Sequence, residues 1–296
     1  MSQGNDKTEY LFRCCICGSS DISIIDSISC IASCQTCGYV FDNPRPSPGE
    51  IDSFYSRPVQ YDEWLGQLPE RENTWRLRLK AVRRHSVPGS LFDVGAGVGQ
   101  FIALAQCFFT SVFGSEISST AVAIAKKNYG LDLVAGRIES IDFGGKKYDN
   151  ITLFHVLEHM HEPGVSLKRC WELLNPGGMI FIAVPNELDS LRRHVRKLLH
   201  SLGLKQIRYE GVLGISKIRL DGSLSEIHLS HFTGKSLANA LDKYGFDVVE
   251  QGMDPYYVSK GWQEVIDSTY FNICSFFKKI TGMNVYNTLW IVGRKR

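Results

Sequence analysis

The stretch SLFDVGAGVGQFIALA, residues 90–105, constrains the fold more than any other part of the chain. A short apolar strand, a glycine-rich turn and an apolar helix in that order make one βα unit of nucleotide-binding architecture. Gly95, Gly97 and Gly99 form the bend. Their G-x-G-x-G spacing departs from the dinucleotide fingerprint, which needs a glycine at position 100, where this chain has Gln100. Asp93, at the strand end, repels a pyrophosphate but suits a ligand that carries an ammonium group and a sulfonium. Both residues weigh against a nicotinamide-dependent oxidoreductase.

Composition sets the frame around that unit. With 296 residues the chain can bury a core without covalent staples, and 44% apolar and 22% charged residues describe a globular protein. A net charge of +2 gives no global case for a nucleic-acid or membrane partner. The longest nearly apolar run, Phe101 to Phe109, is too short to cross a bilayer. The polar start MSQGNDKTEY lacks the parts of a signal peptide, so the expected location is cytoplasmic.

Further landmarks follow the first unit in order: SVFGSEIS ending its strand at Glu116, LDLVAGRIESI with its turn at Gly136, YDNITLFHVLEHMHEP, and LLNPGGMIFIAVPN. Together with FDVGAGVGQF they resemble class I S-adenosylmethionine-dependent methyltransferases. The resemblance covers roughly residues 89–186 and resumes at HLSHFTGKSLANALDKYGF. It implies an α/β fold, a doubly wound Rossmann-like sheet, with S-adenosylmethionine as methyl donor. It assigns the donor site to Asp93, Gly95, Ala96, Gly97, Glu116, Ile117, Arg137, Ile138, Phe154 and His155. Glu116 takes the place of the acid that holds the ribose hydroxyls, whereas Arg137 stands where an acid often accepts from the adenine amino group.

Six of nine cysteines fall between Cys14 and Cys37. Cys14-x2-Cys17 and Cys34-x2-Cys37, each followed by glycine, have the spacing of a four-thiolate structural zinc ribbon. Cys15 and Cys30 complete no such turn and rank below as ligands; Cys107, Cys170 and Cys274 read as buried core thiols. Arg13 is the only cation from residue 13 to residue 37, which argues against a nucleic-acid-binding ribbon. The expected division is a ribbon over 1–43, a linker with helices near Pro48–Tyr55 and Pro69–His85 over 44–88, and the methyltransferase domain over 89–296.

His155, Glu158, His159, His161 and Glu162 crowd one short segment. Its H-x-x-E-H order imitates a zinc-protease motif, but Pro163 leaves no long helix to carry one. In the resembling family this loop faces the methionine half of the donor and the acceptor. The ubiquinone-pathway O-methyltransferases have E-x-x-E-H here, and His155 in place of the first Glu weakens a Mg²⁺ site. A softer metal at His155, Glu158 and His159, or loop anchoring by Glu158 and His159, stay open. His228 and His231, just before a helix over 234–244, join His155 as candidate bases or acceptor anchors. A neutral histidine base implies a rate rising with pH near pKa ~6.5.

Two amphipathic segments complete the chain. From Leu188 to Arg208 an apolar stripe opposes Arg192, Arg193, Arg196 and Lys197, and reads as a lid within an insertion at about 187–227, or as a membrane-surface helix. Ser259–Ile280 is rich in aromatics and is expected to pack against the domain or a second subunit. The final NTLWIVGRKR is a strand, which the resemblance implies inserts antiparallel beside the fifth. The expected function is O-methylation of a hydroxyl on a sugar, glycan precursor or similar metabolite. Alternatives are C- or N-methylation of a nucleotide-linked sugar and quinol O-methylation. No transmembrane segment and no nucleic-acid partner are expected; peripheral membrane contact and oligomeric state stay open.

Overall fold

The computed structural model describes residues 7–55, 65–204, 209–221, 226–255 and 259–296. Near the N-terminus β1 (Thr8–Glu9) pairs with β5 (Arg45–Pro46), and between them lie β2 (Ile22–Asp26), β3 (Ile31–Cys34) and β4 (Val40–Asp42). Helices α1 (Pro48–Tyr55) and α2 (Leu68–His85) follow, close to their expected bounds. The βα alternation then begins: β6 (Ser90–Val94), α3 (Gln100–Ala105), β7 (Ser111–Glu116), α4 (Ser119–Tyr129), β8 (Val134–Ala135) and β9 (Tyr148–Phe154). A 3-10 turn (Leu157–His159) leads into α5 (Pro163–Leu173), β10 (Leu174–Pro185) and α6 (Leu191–Ser201). The chain closes with β11 (Ser230–His231), α7 (Gly234–Lys243), β12 (Phe246–Gly252), α8 (Trp262–Thr281) and β13 (Thr288–Lys295).

The seven-stranded sheet has the order β12-β13-β10-β9-β6-β7-β8. All neighbours from β10 to β8 run parallel, and β13 inserts antiparallel between β10 and β12. This is a Rossmann-like methyltransferase sheet. Its central strands are covered on both faces, which is why β9 and β10 read as apolar runs and not as alternation. Leu91, Phe181 and Val292 face α2 and α3, while Phe92, Ile151, Ile180 and Ile291 face the side of α5 and α7.

The cysteine-rich segment forms a second sheet of order β11-β4-β3-β2. Its outer strand comes from residues 230–231, almost two hundred positions downstream. Ribbon residues Cys14, Ile16, Tyr39 and Phe41 join the same buried cluster as Ile151 and Leu237. The Tyr39 hydroxyl meets the Ser230 hydroxyl at 2.5 Å.

Three packing expectations are corrected. Cys107 is exposed, because it lies in the turn just beyond α3, whereas Cys170 and Cys274 are buried. The helix expected over Leu188–Arg208 spans Leu191–Ser201, ends before Gly203 in the left-handed region, and buries none of its residues. Its predicted continuation over residues 205–208 lies outside the described residues. Helix α8 buries only Cys274. Among the described residues no helix is long and apolar enough to cross a membrane.

Candidate functional site

The glycine turn adopts the left-handed backbone that its sequence needs: Gly95, Gly97 and Gly99 have φ of 69°, 54° and 82°. At Gly95 a Cβ would stand 2.5 Å from Val156 Cγ2, so the turn lies directly against the loop after β9. Glu116 closes the other side. Its Oε2 accepts from the Gly97 N–H at 2.8 Å and its Oε1 from the Ser118 N–H at 2.9 Å. Burial raises the Glu116 pKa and those amides oppose the rise. Asp93 is buried, accepts the Thr152 hydroxyl at 2.6 Å, and is pushed by burial up to about 7. Ala96, Arg137 and Gly97 are half-buried, Ile117 is exposed, and Ile138 is turned into the core.

Gln100 explains itself here. Its amide donates to Leu68 O at 2.7 Å and accepts from the Trp75 indole N–H at 3.0 Å, fastening α2 over the turn. The glycine of a dinucleotide fold would leave that clamp unmade.

His155 follows β9 with φ of 55°, a left-handed conformation unusual for a side-chain-bearing residue and found at functional sites. Its N–H donates to Ala183 O at 2.8 Å, so the main chain of β10 holds the bend. Its Nε2 lies 3.2 Å from Asp254 and its Nδ1 3.5 Å from Glu158. Asp254 is in turn gripped by both arms of buried Arg78, at 2.8 and 2.5 Å. Burial would raise Asp254, but Arg78 and His155 bring it down to about 2. For His155, burial works against the charge, and the bond to Asp254 with the Glu158 carboxylate nearby outweighs it and raises the pKa. Phe154 stacks on Trp290 at 5.8 Å beneath this network.

A second network runs from the ribbon to the same loop. His231 meets Asp42 at 2.9 Å through Nε2 and Glu187 at 2.5 Å through Nδ1. Glu187 also meets His228 Nδ1 at 3.0 Å. Burial disfavours charge on both histidines, yet Glu187 first, and Asp42 or Glu226 after it, push His231 up to about 9 and His228 well above its ordinary value. Both of His231's ring nitrogens are engaged, so its expected role as base gives way to anchoring. The same carboxylates favour the charged form of His228 and His231.

His159 is differently placed. Its Nδ1 lies 2.6 Å from Ile227 O and 2.9 Å from the Tyr55 hydroxyl, which leaves Nε2 facing Glu158 at 3.8 Å. Among the described residues neither buried Glu158 oxygen makes a hydrogen bond, nor does His228 Nε2, which lies 3.7 Å from Glu226 Oε2. Glu158, His159 and His228 each offer a ligand atom, all within 4.8 Å of one another. His155, expected in such a set, is replaced there by His228.

The four predicted ribbon cysteines converge. Cys14, Cys17, Cys34 and Cys37 place their sulfurs within 4.8 Å of one another, with Cys14 to Cys37 at 3.6 Å and Cys17 to Cys34 at 3.4 Å. Tetrahedral sulfurs at a Zn–S distance of ~2.3 Å stand ~3.8 Å apart, so the cage has the right size. Gly18 and Gly38 take the positive φ that each turn demands. Cys15 points instead to Glu162 and Arg45.

The methyltransferase-domain family profile matches residues 64–251, well over half of the chain. This chain belongs to that methyltransferase-domain family. Among its relatives, a ubiquinone biosynthesis O-methyltransferase of Chelativorans sp. is 29% identical over 128 residues, covering 42% of this chain and 47% of the relative. The corresponding Parvibaculum lavamentivorans protein is 32% identical over 166 residues, covering 50% and 65%. The chain thus spans about half to two thirds of the length of these relatives. The fold is shared with a SAM-dependent methyltransferase of Thermotoga maritima, at TM-score 0.54, 16% identity and coverage of 83% and 100%. It is shared too with magnesium protoporphyrin IX methyltransferase of Synechocystis with bound SAH, at TM-score 0.53, 15% identity and coverage of 84% and 100%.

Arg78, Asp254, Glu187 and Tyr55, which motif reading passed over, are the partners that hold His155, His228, His231 and His159 in this candidate site. They lie far from the motifs in sequence, and only the fold brings them there.

Proposed function

We propose that this chain is an S-adenosylmethionine-dependent methyltransferase that O-methylates a hydroxyl of a sugar, glycan precursor or similar small polar metabolite. The observation that carries this reading is the junction of two sites at one loop. The Gly95–Gly99 turn with Glu116 lies on one side of Val156, and the His155, Glu158 and His159 cluster on the other.

The donor supplies an activated methyl on a sulfonium. Gly97 and Glu116 bind and orient it, Phe154 and Trp290 line the dry face, and His155, fixed by Asp254, sets the loop that separates donor from acceptor. With the donor bound, its sulfonium methyl would pass to an attacking acceptor oxygen as the C–S bond to the neutral thioether breaks, and this chain's part would be to align the two and take the hydroxyl proton. His159 Nε2 is the base favoured by this geometry: Nδ1 is held by Ile227 O, and the Glu158 carboxylate stabilises the imidazolium that forms. Cys14, Cys17, Cys34 and Cys37 would hold zinc, and four thiolates leave no open position, so the metal is structural.

A second reading rests on the atoms of Glu158 and His228 that make no hydrogen bond: with His159 they suit a borderline divalent cation that would orient the acceptor oxygens. One experiment addresses both. Turnover of labelled donor is measured against nucleotide sugars, lipid-linked glycans and quinols, with parent protein, His159→Asn and Glu158→Gln. The proposal expects a sugar-type acceptor and a collapse of turnover in His159→Asn with donor affinity kept. Turnover with quinols alone sinks the acceptor class, parental rates in His159→Asn sink the base, and calorimetric Mn²⁺ binding lost in Glu158→Gln favours the cation.

A further inference from the structure

Helix α6 is built inside out. Leu191, Val195, Leu198 and Leu202 recur at the spacing of one helical face, and each is exposed, at 39%, 44%, 58% and 69%. The polar side is the one tied down: Arg193 donates to Leu188 O and Leu213 O, and Arg192 reaches Asp267 and the Tyr270 ring of α8. Those contacts set α6 beside α8. Helix α8 repeats the pattern, with Ile266, Ile273, Phe276 and Ile280 exposed while Asp267, Tyr270 and Cys274 turn inward. Trp262 at its start is 84% exposed. An apolar surface spread over two neighbouring helices is larger than the scattered apolar residues of an ordinary surface.

The charges say what covers it. Helix α6 carries Arg192, Arg193, Arg196 and Lys197 and no acid; α8 begins with Glu264 and with Asp267, which pairs with Arg192, and ends in Lys278 and Lys279. Beside α6 a groove of about 820 Å³ opens over α7 and the edge of the sheet; its lining includes Leu191, His194, Lys235, Lys278 and Met283, with one acid, Asp189. Two copies joined through this face in an isologous dimer would bring like cations together, whereas lipid headgroups of negative charge complement them. We propose that α6 and α8 form a docking surface for an anionic lipid bilayer. The apolar stripes enter the headgroup boundary and the exposed Arg196, Lys197 and Lys279 side chains meet the phosphates. Glu187, which holds His228, lies four residues before α6, so docking brings the acceptor side of the domain to the lipid surface.

The test is co-sedimentation of the full chain with phosphatidylcholine vesicles, with and without phosphatidylglycerol, at low and high salt. The expected result is binding to the anionic vesicles only, reversed by salt. Leu198→Asp with Phe276→Asp, and separately Arg196→Glu with Lys197→Glu, should each lower the bound fraction about ten-fold or more. Calorimetric donor binding should stay at the parental value in both and so report an intact fold. Failure to bind anionic vesicles overturns the proposal, as does equal binding to neutral ones. A dimer by light scattering that the apolar double variant dissociates would assign the face to a second copy and overturn it too.

Discussion

Gly95 shows how little room a single position has here. With φ of 69° and Val156 at 2.5 Å from any added Cβ, it is bounded by both backbone and neighbour. Gly95→Val is expected to abolish donor binding in calorimetry while the far-ultraviolet circular dichroism keeps its parental shape; unchanged affinity would detach the turn from the donor. His231 makes a residue-scale prediction of a different kind. Burial opposes its charge, but Glu187 and Asp42 raise its pKa to about 9 in the fold, above the ~6.5 of an unfolded chain. Its contribution to stability is therefore fully present below pH ~6.5 and is lost as pH rises through about 9. Urea midpoints measured across that window should fall in the parent. In His231→Gln, which leaves Glu187 and Asp42 facing each other, the unfolding free energy from urea titration should be lower by about 3–5 kcal/mol and vary less with pH.

Among elements, α2 is the one whose sequence gave least warning of its importance. Its mean composition is polar, yet it buries Arg71, Thr74 and Arg78 and covers the donor turn through Trp75 and Gln100. The Arg78–Asp254 pair fixes it to the loop after β12 and, through His155, to the loop after β9. Removing one member strands a buried charge, so Arg78→Leu should cost about 3–5 kcal/mol in urea unfolding. Replacing both members at once should cost less than the two single changes added together. Additive costs would mean that the pair is not coupled. The contrast with α6 is instructive: periodicity predicted its amphipathicity correctly, but periodicity is silent on which face meets the domain.

At the scale of the molecule, the cysteine-rich sheet and the acceptor loop are one structure. Strand β4 pairs with β11, and Asp42 of the former holds His231 of the latter. A zinc-dependent ribbon should therefore act on the acceptor side. Cys34→Ser is expected to lose zinc by elemental analysis and to lower the thermal midpoint. It should raise the acceptor KM, yet leave donor affinity at the parental value, because Gly97 and Glu116 sit on the main sheet. Loss of donor binding would show instead that the ribbon supports the whole fold. The amino-acid sequence by itself determined the βα alternation, the glycine turn with Glu116, the antiparallel last strand and the paired CxxC turns. The alternation, the glycine turn and the CxxC pairs rest on local spacing, on backbone freedom at glycine, or on apolar runs that only a doubly covered strand explains, whereas the direction of the last strand and the place of Glu116 followed from the family resemblance. Tertiary structure alone decided that Asp93 is buried against Thr152, that His231 is locked between two carboxylates while His159 keeps a nitrogen exposed to Glu158, and that the stripe of α6 faces outward. Those outcomes depend on which residues, distant along the chain, arrive beside one another. Burial and Coulomb interactions act through space, and no spacing rule along the chain encodes that.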